Sequence, residues 1–121
     1  MFVKEIAEYD EFSGECTLVV TDGDYDLLCY CYNGTQPNNM QLKKVESFLC
    51  ENIMRSLSNE YMIQKTDCYF SYHLQGKVIN CVIPEICIGD IIIKLDTPLP
   101  KDIKECEFIE FDVLRLDVSL N

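Results

Sequence analysis

The chain has no tryptophan, a single histidine (His73) and five scattered glycines. No two glycines form Gly-x-Gly, so neither a phosphate-cradling loop nor a dinucleotide fingerprint can be assembled. There is no Gly-x-Ser-x-Gly elbow for a serine nucleophile. Cys-x-x-Cys spacing, which zinc knuckles and thioredoxin-type centres need, is missing too. No run approaches the roughly 20 apolar residues of a membrane-spanning helix. The densest, Ile86 to Leu95, is interrupted by Gly89, Asp90 and Lys94. The start, MFVKEIAEYDEF, mixes acids into its apolar residues, which a signal peptide would not do. Bases are scarce as well: 10 Lys and Arg stand against 21 Asp and Glu, a formal charge of −11. Such a field favours basic partners and opposes approach to phosphate backbones or anionic lipid.

What is present is a 48% hydrophobic share in clear Ile, Leu and Val runs, ample for the core of one domain over residues 1–121. Eight cysteines accompany it. Cys16, Cys29, Cys31, Cys68 and Cys81 lie inside β-like apolar runs, where a reduced thiol packs as a small hydrophobe. With no secretory signal, packed thiols are expected rather than disulfides or a metal site, and the expected location is the cytoplasm.

The stretch Glu15–Tyr32, ECTLVVTDGDYDLLCYCY, reads as two strands joined at Asp22–Gly23. Asp-Gly between β-rich runs is a hairpin signal, because Gly accepts the positive φ of a primed turn. Cys16, Leu18 and Val20 share one face of the first strand. Residues 25–32 are apolar on both faces, as in a central or covered strand. Before this hairpin, Phe2, Val3, Ile6, Tyr9 and Phe12 recur near every third residue, which suits a strand with a bulge. NGTQPNN, residues 33–39, is a loop.

A helix is expected from Met40 to Leu57. Leu42, Val45, Leu49, Ile53 and Leu57 form one stripe, widened by Phe48 and Met54, and Asn38 and Gln41 cap the start. The remainder reads as antiparallel β. Residues 61–74 form a strand, Gln75–Gly76 a turn, 77–83 a buried strand stopped at Pro84, Gly89–Asp90 another turn, and 91–96 a strand. Residues 97–105 are a loop. The last strand, 108–120, changes phase after Val113, as a bulge or barrel corner does. The expected fold is therefore mainly β: a small antiparallel β-barrel or strongly curled sheet of about six or seven strands, with one helix after the third. In element order alone this resembles an OB-type barrel, and no residue motif accompanies the likeness.

Asp22, Asp24 and Asp26 could gather a hard cation, but Leu27 and Asn33 stand where an EF-hand loop needs Gly and Glu, so no metal is assigned. Cys29 and Cys31 project from one strand face, and a tetrahedral site would need two more ligands, such as Cys16 or Cys68. A hydrolase would need His73 gathered with two carboxylates in a pocket. Tyr30 and Tyr32 share a face with Leu28. Aromatics so placed can stack single-stranded nucleic acid, but that chemistry works with a basic groove. An aromatic patch rimmed by acids suits a protein interface better.

The expected function is a non-enzymatic cytosolic module, without cofactor, that binds a basic protein through Asp22, Asp24, Asp26, Tyr30 and Tyr32. An acidic inhibitor or immunity-type protein is one such role. The alternative is an OB-like barrel binding a ligand or oligonucleotide, although nucleic acid is disfavoured by charge. Self-association through the edge of the long last strand is a further option.

Overall fold

The computed structural model describes residues 1–32 and 42–120. It holds eleven strands: β1 (Phe2–Tyr9), β2 (Glu15–Thr21), β3 (Asp26–Tyr32), β4 (Leu42–Phe48), β5 (Glu51–Arg55), β6 (Met62–Lys65), β7 (Tyr72–Asn80), β8 (Glu85–Ile88), β9 (Ile91–Lys94), β10 (Phe108–Val113) and β11 (Arg115–Leu120). All belong to one sheet in the order β1-β2-β3-β11-β4-β9-β8-β7-β10-β5, with β6 attached to β7. Most pairs are antiparallel, but β3–β11 and β4–β9 are parallel. The sheet is open and mixed, and no helix occurs among the described residues. This corrects the expected barrel of fewer strands with one inserted helix, and with it the OB-like outline.

The segment expected to be helical is β4 and β5. Its described part has period two where it is buried: Val45 and Ser47 point inward, Lys44 and Glu46 less so. The supposed stripe does not exist. Val45 is 2% exposed, whereas Leu49 is 55% and Leu57 104% exposed. Leu49 (φ 53°) and Asn52 (φ 59°) both have left-handed backbones, which no α-helix accommodates. Asn52 is the bulge residue of β5: residues 52 and 53 together face the single residue Phe111 between the pairs Glu110↔Met54 and Asp112↔Glu51. The expected cap residues, Asn38 and Gln41, and the loop 33–39 lie outside the described residues.

β4 and β5 run antiparallel to β11 and β10 as one bent ribbon, from Leu42↔Leu120 to Arg55↔Ile109. The bend falls at Leu49–Cys50 on one side and Leu114 on the other. This is how the phase change of the last strand is realised. Asp96 fixes the bend. Its carboxylate accepts the Ser47 hydroxyl at 2.6 Å and the amides of Leu49 (2.9 Å) and Cys50 (3.1 Å). Burial works against charge at Asp96, but these donors outweigh it and hold the carboxyl below its ordinary range.

β1 explains its own odd spacing. It carries two register shifts, and its inward residues Val3, Ile6 and Tyr9 face Val20, Leu18 and Cys16. Each bulge adds one residue, so a spacing of three on β1 matches a spacing of two on β2. Gln75 and Gly76, expected as a turn, are instead buried within β7. Glycine is needed there because a Cβ would stand 2.6 Å from the Cys87 carbonyl oxygen of β8. β7 is central: β10 runs along one edge, while β6 and then β8 share the other.

The core gathers Leu18, Leu27, Leu74, Ile86, Ile93 and Phe111, all fully buried, with others from every part of the sheet. Each such side chain contributes roughly 1.5–3 kcal/mol by burial, so the fold has no need of disulfide staples. All eight cysteines are free thiols; Cys16, Cys29, Cys31, Cys50 and Cys87 are buried, whereas Cys68, expected to be packed in a strand, is exposed.

Candidate functional site

The β2–β3 hairpin forms, but its loop has four residues, Asp22 to Tyr25, between the paired Thr21 and Asp26. This is longer than the two-residue primed turn expected, and of its residues Gly23 has the positive φ, 103°. Two of the three aspartates expected to bind a partner, Asp22 and Asp26, have partners within the fold. Asp22 accepts the amides of Asp24 (2.9 Å) and Tyr25 (2.8 Å) through Oδ1, and that of Asp90 (2.7 Å) through Oδ2. The Asp90 amide does most to hold the Asp22 carboxyl below its ordinary range. The β2–β3 loop is thereby stapled to the β8–β9 turn, where Gly89 leaves room for the Asp22 carboxylate: a Cβ there would lie 2.3 Å from Oδ2. Asp26 pairs with Lys4 at 2.9 Å, the principal cause of its lowered pKa. Asp24 is exposed.

At the other end of the same hairpin lies a cleft of about 330 Å³. Its walls are Glu8, Tyr9 and Asp10 from the end of β1, Glu15, Cys16 and Thr17 from the start of β2, Tyr30 from β3, and Tyr69 and Phe70 from the loop before β7. Register explains the gathering. Tyr9 pairs with Cys16, Thr17 with Tyr30, and Glu15 with Tyr32. The loop that brings Tyr69 and Phe70 is tied by the Ser71 hydroxyl, which accepts the Cys68 amide at 3.0 Å. Lys65 Nζ donates to the carbonyls of Cys68 and Tyr69.

The aromatic walls are ordered against one another. Phe70 meets Tyr69 edge-to-face at 4.8 Å between ring centroids, and Tyr30 at 5.9 Å. Tyr30 donates its hydroxyl to Glu15 Oε1 at 3.1 Å. Burial and then this carboxylate push the Tyr30 phenol up. The Arg115 guanidinium lies 4.3 Å from the Tyr30 centroid and 4.4 Å from that of Phe48. It is held there by Asp117 and is not part of the cleft wall. Tyr69 is 57% exposed. The three acids of the cleft make no ion pair among the described residues, and no Lys or Arg lines it. Aromatic faces beside carboxylates attract a cation by quadrupole and by charge.

Of the residues singled out from sequence, then, Tyr30 lines the cleft and Tyr32, 67% exposed, borders the same strand end. Asp22, Asp24 and Asp26 lie at the opposite end of the hairpin. Glu8, Asp10, Tyr9, Tyr69 and Phe70 carried no sequence signal as site residues. Only the near-threefold spacing of β1, read as bulges, hinted that Tyr9 faces the same way as Cys16.

His73 does meet two carboxylates. Nδ1 lies 2.6 Å from Asp112 Oδ1 and Nε2 lies 3.5 Å from Glu110 Oε1, and Asn52 donates to Asp112 at 2.9 Å. Asn52 and then His73 hold the Asp112 carboxyl below its ordinary range. The Nδ1–Asp112 hydrogen bond thus ties β7 to β10, while Nε2 has Glu110 beside it at the longer distance. Among the described residues no cluster of His, Cys, Asp and Glu could hold a metal ion. No helix among them is long and apolar enough to cross a membrane.

Comparison with protein-family models, with curated proteins and with solved structures finds no match for the chain.

Proposed function

We propose that this protein is a non-enzymatic binding module of the cytoplasm that recognises a basic protein partner through the open end of the β2–β3 hairpin. The single observation that carries this reading is the cleft that combines four aromatic side chains with Glu8, Asp10 and Glu15 and has no basic wall. A chain of net charge −11 steers basic partners toward it from a distance. Tyr30, Tyr32 and Tyr69 supply the amphipathic contact area in which Tyr is favoured at interfaces. An inhibitor or immunity-type role, covering a basic site on the partner, follows from the same charge logic. The carboxylates at the aromatic cleft oppose oligonucleotide binding, because a phosphate backbone would meet three negative groups where stacking requires positive ones.

Affinity capture with elution by stepped salt tests this reading. The expected result is a basic partner released as ionic strength rises past the level where the Debye length falls below about 8 Å. Partners that are neutral or acidic, or binding indifferent to salt, would refute it.

A further inference from the structure

From the composition of the cleft we infer that it is an anchor pocket for a single alkylammonium group, the lysine side chain of the basic partner. The inference rests on the reading above and sharpens it. Three features lead to it. First, the protein already uses this chemistry within itself: Arg115 sits between Tyr30 and Phe48 with Asp117 as its counter-ion. The cleft repeats the combination of rings and carboxylates without an internal cation to fill it. Second, the volume of about 330 Å³ admits one side chain and not a folded segment. Third, its carboxylates come from three separate residues, Glu8 of β1, Asp10 just beyond it and Glu15 of β2, rather than from one residue offering a single planar fork. A compact ammonium with three donors suits such a set of acceptors, while a guanidinium prefers a single bidentate carboxylate and a ring face to stack on. Tyr30 already gives a ring face to Arg115.

NMR titration of the intact protein with N-acetyl-lysine methylamide, N-acetyl-arginine methylamide and neutral N-acetyl-norleucine methylamide tests the inference. The lysine derivative is expected to shift the ring protons of Tyr9, Tyr30 and Tyr69 saturably. It should bind at least several-fold tighter than the arginine derivative, and the norleucine one should leave the rings unmoved. Glu8→Gln and Tyr69→Ala, both at exposed positions, should each weaken lysine binding about fivefold. Asp24→Asn, at the far end, should not change it. Equal response to lysine and arginine, shifts spread over acids elsewhere, or unaltered binding in Glu8→Gln and Tyr69→Ala would overturn the inference. A salt-sensitive complex with immobilised polylysine that persists unchanged in Tyr69→Ala would overturn it too, while leaving the broader reading of a basic partner standing.

Discussion

The bend at Leu49–Cys50 turns a stretch with a helical pattern into two strands, and Asp96 is the residue expected to hold it. Asp96→Ala removes the acceptor for the Leu49 and Cys50 amides and for the Ser47 hydroxyl. A charge-assisted hydrogen bond to a buried group is worth about 1.5–3 kcal/mol. Asp96 is exposed, however, so water competes for its oxygens. The better comparison is a carboxylate capping backbone amides at a helix start, worth about 0.5–2 kcal/mol. Cys50 is buried, and its amide would lose its partner without gaining water. The expected cost of Asp96→Ala is therefore about 2 kcal/mol, and that of Asp96→Asn, which keeps one acceptor oxygen, about 1 kcal/mol. Urea unfolding at neutral pH measures both. The pH dependence gives the sign. The Asp96 carboxyl is held below its ordinary value in the folded state, so its contribution is present above the unfolded pKa of about 3.9 and disappears as pH falls through the folded value. A protonated Asp96 resembles Asn, so the gap between wild type and Asp96→Asn should narrow as pH drops from 6 to 3. A loss below 0.5 kcal/mol for Asp96→Ala, or a gap that does not narrow, would refute the reasoning.

Two further tests are simpler. Leu57→Glu should leave stability within about 0.5 kcal/mol, because the side chain is wholly exposed, while Val45→Glu should cost more than 3 kcal/mol by burying a charge; comparable losses at both would restore the helix. Native thiol titration with a disulfide reagent at pH 8 should find Cys68 and Cys106 fast, Cys81 slower, and the other five silent until unfolding, since burial pushes Cys31 and Cys50 up to about 12 and Cys29 higher still. Fast reaction at more than three thiols would contradict this packing.

Local patterns were legible wherever one strand answers to its neighbour in the chain. The alternation of Cys16, Leu18 and Val20 and the two-faced apolarity of β3 pointed to a hairpin whose second strand is central or covered, and β3 lies between β2 and β11. Reading failed where backbone conformation depends on distant partners. Leu42, Val45, Leu49 and Ile53 have helical spacing by coincidence. What decides against the helix is the long pairing with β10 and β11 and a carboxylate at Asp96, none of it local. Gly76 is the converse case. Gln-Gly between apolar runs reads as a turn, but the glycine answers the close approach of Cys87 on β8. A glycine in a strand marks a turn or a near neighbour, and composition does not say which.

The same distinction governs the site. Three aspartates in five residues draw attention to the 22–26 loop, yet Asp22 is occupied in joining two turns and Asp26 in pairing Lys4. A carboxylate whose acceptors are filled by its own fold has less to offer a partner. Glu8, Asp10 and Glu15 are unremarkable in sequence, being dispersed over eight positions among other acids. Register brings them together with the rings: two bulges on β1 keep Tyr9 opposite Cys16, pairing sets Tyr30 opposite Thr17, and a loop far along the chain supplies Tyr69 and Phe70. Charge density in the sequence therefore drew attention to one end of this hairpin, whereas the aromatic and acidic cleft lies at its other end. Which acids lie together depends on pairing across the whole sheet, and in this cleft Glu15 already accepts the Tyr30 hydroxyl and Asp10 the Phe12 amide.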